Sequence, residues 1–225
     1  MKPFFIFKNI DSKDYLIVNN SPSIIKAKKD IQTIEIQGRD GFLTQDLGSY
    51  RSIIKSVECT IKNLEDINFI NEWLNGSGEV IFSNEPTKVY KATIINQIDF
   101  GRIIKTYHKF IIEFEAQPHK YSLNNETITL QTTGTIYNSG SAIALPIIKL
   151  FGTGSLTLTI NGATVNLTNV VDYVTIDSNL QESFKDLVYK NQYMTGLFPV
   201  LEKGNNIISF TGATKIEITP NFRYI

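Results

Sequence analysis

The chain has 225 residues, and its 22 lysines and arginines are balanced by 22 aspartates and glutamates, which leaves neither a basic field to gather phosphates nor an acidic tail to gather cations. Nucleic-acid binding is therefore disfavoured as the main task, and a lone cysteine excludes an internal disulfide. No apolar run approaches the roughly 18–20 residues of a membrane-spanning helix, and the opening MKPFFIFKNI lacks the small-residue cleavage site of a signal peptide, so we expect a chain made in the cytoplasm.

Taken in order, PFFIFKN and YLIVN are short, aromatic and β-branched, and predict a first hairpin across DSKD. IIKAKKDIQTIEIQG ends in alternation, with Ile34 and Ile36 opposed to Glu35 and Gln37, which predicts a half-buried strand. IIKSVECTIK predicts another strand and sets Cys59 beside Val57 and Ile61 on one face, as a buried small hydrophobe rather than a reactive thiol. Between these strands GRDGFLTQDLGSYRS, 38–52, reads as a polar loop, far longer than the usual connection of about 4–6 residues. Its glycines suit backbone angles that other residues avoid, and its tyrosine and arginines are the large amphipathic side chains that anchor interfaces. Arg39, Asp40, Gly41, Tyr50 and Arg51 are accordingly the candidate assembly residues, and a solvated surface loop is the other reading of the same composition.

After Asn63, a candidate side-chain cap, Leu64, Ile67, Ile70 and Leu74 recur at helical spacing up to GSG and predict one helix over about 64–75, with Trp73 in the core beside them. EVIFSNEP, KVYKATIINQIDFG and RIIKTYHKFIIEFEAQP read as strands. The last would place Ile104, Thr106, His108, Phe110, Ile112 and Phe114 on one face and end at Pro118. The polar stretch 118–126 marks a boundary between domains 1–120 and 121–225. Charge density changes there, from 31 charged residues in the first 120 positions to 13 in the last 105. Beyond it, SLTLTI-NG-ATVNLT predicts a type I′ hairpin, because Asn-Gly supplies two positive-φ residues, with Leu156, Leu158 and Ile160 facing inward. Short strands with Gly, Asn and Asp punctuation continue to the end, the pattern of a β-sandwich. The fold class read from the chain is all-β with one helix.

Catalytic and ligand motifs are absent: there is no G-x-S-x-G, H-E-x-x-H, C-x-x-C or P-loop. The GTG at 152–154 precedes a strand and lacks a third glycine, DSNLQE at 177–182 lacks the glycine of a calcium loop, and two histidines, His108 and His119, fall short of a metal site. We expect no cofactor, no metal and no catalysis.

A strand ending in a G-R-D-G turn, a short loop ending in G-S-Y, a returning strand, a helix with a late Trp-Leu and a Gly-Ser-Gly exit resemble the N-terminal domain of the distal tail proteins of long-tailed phages. In the second half, NSGSAIALPIIKLFGTGSLTLTING, YVTIDSNLQ and GLFPVLEKGNNIISFTG resemble, in order, that family's galectin-like domain. The resemblance implies an N-terminal β-sandwich or split barrel with a helix, followed by a galectin-like antiparallel β-sandwich. It also implies a homo-oligomeric ring of six, possibly with two rings back to back. Such a ring would join the tail tube protein to the tail-tip protein and the receptor-binding proteins, in a virion tail whose lumen passes DNA. The family's second domain raises an alternative, a carbohydrate-binding module for cell-wall sugar. Sugar sites usually present exposed aromatic platforms, and the second half has no Trp and only scattered tyrosines, Tyr137, Tyr173, Tyr189, Tyr193 and Tyr224.

Overall fold

A computed structural model describes residues 2–98, 101–104 and 107–225. The fold is nearly all β, and the described residues hold one α-helix. The chain divides into two compact units, 1–120 with Ile225, and 121–224.

The first unit contains β1 (Phe5–Phe7), β2 (Ile10–Asp11), β3 (Leu16–Val18), β4 (Lys29–Glu35), β5 (Phe42–Tyr50), β6 (Ile53–Ile61), α1 (Ile67–Trp73), β7 (Ser77–Phe82), β8 (Lys88–Ile94), β9 (Gly101–Ile104) and β10 (Tyr107–Ser122). Its main sheet runs β2-β1-β7-β8-β10-β6-β3, with β9 beside β10. Strict alternation buries Ile53, Val57, Cys59 and Ile61 of β6 against Phe110, Ile112 and Phe114 of β10. Phe5, Phe7 and Phe82 meet Phe114 edge to face at 5.5–5.6 Å, an arrangement favoured by ring quadrupoles. The helix closes this core. Its Trp73 is 4% exposed, stacks on Phe5, and donates Nε1–H to the Phe7 carbonyl at 2.9 Å, so the indole polar group is satisfied where it is buried.

Several expectations change here. YLIVN does not pair with PFFIF: β1 turns back on β2, and β3 crosses to β6 at the far side of the sheet. Asn63 makes no side-chain cap bond, and a 3₁₀ turn at Leu64–Asp66 precedes the α-helix, leaving Leu64 exposed. The long strand expected from Arg102 is two antiparallel strands, β9 and β10. Lys105 and Thr106, and the side chains of Ile104 and His108, lie outside the described residues. Pro118 does not end β10, which runs on to Ser122 in place of the expected polar linker. Proline gives no N–H to the ladder, but its φ suits an extended chain.

The second unit contains β11 (Ile128–Leu130), β12 (Gly134–Asn138), β13 (Ile147–Ile160), β14 (Ala163–Val170), β15 (Tyr173–Asp177), β16 (Glu182–Lys185), β17 (Val188–Tyr189), β18 (Met194–Thr195), β19 (Gly204–Thr219) and β20 (Arg223–Tyr224). The Asn161-Gly162 hairpin is as read, with φ of 50° and 87° and Ile160 opposite Ala163. Leu156, Leu158 and Ile160 are buried. What the sequence hides is that β13 and β19 are long strands serving both halves of the unit. Residues 147–151 of β13 pair with β15 and residues 156–160 with β14, and the register shifts between Gly152 and Thr157 where β13 meets β19. GTG is thus a bend in a strand, not a phosphate cradle.

Gly212 lies at the same bend with φ +77°, and a Cβ there would sit 2.3 Å from the Ser155 carbonyl oxygen. Both faults apply at once, so Gly212→Ala should destabilise the chain by about 2 kcal/mol, read as a lowered urea midpoint with unchanged slope. An unshifted midpoint would refute the bend as a constraint.

Candidate assembly surface

The segment expected to be a loop is an arm. β4 and β5 form a two-stranded antiparallel ladder separate from the main sheet, with Ile34 opposite Leu43, Thr33 opposite Thr44 and Glu35 opposite Phe42. The turn at its tip uses Gly38 and Gly41 at φ +82° and +79° and closes with Arg39 N–H on the Ile36 carbonyl at 3.1 Å. Alternation sets Ile34, Leu43 and Leu47 on one face, with Ile36 following Ile34, and Ile31 and Phe42 on the other. All six are exposed, from 38% for Ile31 and Leu43 to 61% for Phe42. A lone two-stranded hairpin is marginal in water, and this one leaves large apolar side chains exposed on both of its faces, Ile34, Ile36, Leu43 and Leu47 on one and Ile31 and Phe42 on the other, a sign of a surface meant to be covered.

The root carries two ion pairs and one aromatic contact. Arg51 donates from Nε and Nη2 to Asp30 at 2.9 and 2.8 Å, and Lys29 pairs with Asp46. The hydrogen bond from Lys29 and the one from the Gly48 amide hold the Asp46 carboxyl below its ordinary value. Tyr50 is half-buried, packs on the first core, and meets His119 edge-on at 5.9 Å. Ahead of the arm, 21–23 is stapled down: Ser21 bonds Ser83 between hydroxyls at 3.2 Å, Asn84 donates to the Pro22 carbonyl at 2.8 Å, and Lys55 Nζ donates to the Ser23 carbonyl at 3.0 Å. Lys55 has no exposed side-chain surface and lies 3.6 Å from Glu85, which also takes hydrogen bonds from Lys120 and Tyr90. Burial lowers the Lys55 pKa. Burial also pushes the Glu85 carboxyl up, but the bonds from Lys120 and Tyr90 and the two lysine charges outweigh it, so the net direction is down.

The five candidate residues fall at opposite ends of the arm. Arg39, Asp40 and Gly41 form the exposed tip, whereas Tyr50 and Arg51 sit at the root, roughly 26 Å away for a nine-residue strand. The sequence reading missed the aliphatic residues between them. Ile34 and Ile36 gave the right period for a half-buried strand, but no described residue of this chain covers their face, and they are 41% and 45% exposed.

Cys59 is fully buried and burial drives its thiol far above the ordinary range, so it should resist aromatic disulfide reagents in the native chain and react with one equivalent on denaturation. Native labelling would contradict that. No three His, Cys, Asp or Glu among the described residues gather as a metal site. DSNLQE is a turn in which Asp177 accepts from the Asn179 and Leu180 amides at 2.9 and 3.0 Å. Of the second unit's tyrosines, Tyr173 pairs with Phe151 at 6.0 Å, but Lys149 Nζ stands 3.9 Å over its ring. Tyr137 and Tyr189 are exposed on β12 and β17, strands that are not neighbours in the sheet.

No protein-family model matches the chain, and no curated protein sequence matches it. A solved structure does: the crystal structure of the SPP1 Dit (gp 19.1) protein, described as a paradigm of the hub adsorption apparatus in phages infecting Gram-positive hosts. The TM-score is 0.75 at 17% identity, covering 99% of this chain and 99% of that one. The fold is therefore shared from end to end, both units included.

Proposed function

We propose that the chain is a structural hub protein of a phage tail, assembling as a six-fold ring through the β4–β5 arm. The observation that carries this is the arm itself: a hairpin separate from the main sheet with apolar side chains left uncovered, on a fold shared over its whole length with SPP1 Dit. The ring contact is heterologous, because the arm of one copy meets a different surface of the next, and such contacts close into rings when the rotation permits. The ring joins the tail tube to the tail-tip protein and the receptor-binding proteins, and its opening passes DNA without binding it, in keeping with the zero net charge. Its place is the virion tail. It binds no cofactor and catalyses nothing. No helix among the described residues is long and apolar enough to cross a membrane. Electron microscopy of the purified full-length chain tests the reading. Six-fold rings with a central opening are expected, and open filaments or isolated subunits would overturn it.

A further inference from the structure

Resting on that reading, a head-to-tail ring needs a second surface to receive the arm. We infer that the receptacle is the outer face of the β8–β10–β6–β3 sheet, and that its occupant is the arm of a second copy of this chain. Apart from the arm and its lead-in Ile24 and Ile25, the first unit exposes six large hydrophobics among its described residues: Ile17, Ile54, Leu64, Phe69, Ile95 and Ile111. Phe69 is already engaged, packed on Tyr15 at 4.6 Å, and Leu64 belongs to the turn before the helix.

The other four share one sheet face. Ile54 and Ile111 alternate with buried neighbours on β6 and β10 and pair with Glu115 and Glu58. Ile17 opposes Thr60 on β3, and Ile95, just beyond β8, donates its amide to the Glu113 carbonyl at 3.1 Å. A hollow on this face is lined by Asn96 and Ile111, and a second, lined by Thr93 and Gln117, reaches across to β7.

Charge agrees with shape. Glu58 is paired with Lys109 at 3.1 Å, and Glu113 and Glu115 of β10 outnumber Lys91 of β8 on the rest of the face. On the arm and its lead-in, Lys26, Lys28 and Arg39 make no ion pair among the described residues, against Glu35 and Asp40. The cationic excess of the arm therefore meets a carboxylate excess on the face, and aliphatic side chains meet aliphatic side chains.

The test uses two full-length variants, I54E/I111E in the face and I34E/L43E in the arm, with native mass and far-ultraviolet circular dichroism measured for each alone and for a 1:1 mixture. Both should be folded monomers of 25.4 kDa. The mixture should form a two-subunit species of about 51 kDa, twice that mass, since one intact arm can seat on one intact face and neither chain can continue the ring. A face variant that assembles like wild type removes the receptacle and leaves the arm reading standing. An arm variant that assembles like wild type removes the arm reading itself. Two folded monomers whose mixture stays monomeric would show that these surfaces do not meet, and would overturn the inference.

Discussion

Ile34→Glu with Leu43→Glu should convert a ring into a folded monomer. The two residues face each other across the arm and are 41% and 38% exposed. Covering what remains exposed contributes about 1 kcal/mol for each, a fraction of the roughly 1.5–3 kcal/mol for fully burying such a side chain. A glutamate in the covered position adds the cost of desolvating a charge, at least another kcal/mol or so each. Together the change weakens each contact by about 4 kcal/mol, roughly a thousandfold. Both positions lie on a ladder separate from the main sheet, so the repulsion of two glutamates directly across it, up to about 1 kcal/mol, falls on the arm and not on the core that sets the melting temperature. Loss of assembly with an unchanged melting temperature is the expected pair of results, and persistence of the wild-type mass would contradict the role given to the arm.

The second large effect is expected at Glu85→Ala. The carboxylate is the common acceptor for Lys55, Lys120 and Tyr90, in a site where Lys55 is wholly buried with its ammonium 4.7 Å from the Tyr90 ring centre. Removing it leaves a buried cation without its counter-charge, which costs about 3–5 kcal/mol, enough to lower the midpoint of thermal unfolding by on the order of 15 °C. Lys55 also holds the Ser23 carbonyl at the foot of the arm, so ring formation should weaken as well. The pH dependence follows from linkage: the folded pKa of Glu85 lies below its ordinary 4.5, so the unfolded chain takes up its proton first as the medium is acidified. The contribution is complete above about pH 4.5 and is lost as pH falls through the lower folded value. Glu85→Gln, measured by urea denaturation between pH 7 and pH 3, should be less stable than wild type at neutral pH and should approach it in acid. A constant gap across that range would show that the carboxylate charge is not what stabilises the clamp.

Where chemistry is local, the sequence reads well. Asn161-Gly162 can hardly be anything but a tight turn, and the alternation in β6 buries Val57, Cys59 and Ile61 as expected, while the helical spacing buries Ile70, Trp73 and Leu74 but not Leu64. The failures share a cause. Period-two alternation at Ile34 and Ile36 says only that one face is apolar, not whether this chain or another covers it. Gly48 and Asp46 then made β5 look like a loop, although Gly48 at φ +76° with its amide on Asp46 is the irregularity that lets the strand continue. Glycine misled again at Gly152 and Gly212, where long strands bend instead of ending. The crossing of β3 to β6 was invisible because neighbouring strands usually pair. Lys55 drew no notice, since an alternating strand gives a lysine at an inward position no mark of its own.

The native mass of the purified wild-type chain, measured over a dilution series, bears most directly on the central claim. Assembly through the arm predicts six times 25.4 kDa, about 152 kDa, or twice that for stacked rings. A species of 25.4 kDa at every concentration up to the solubility limit would contradict it.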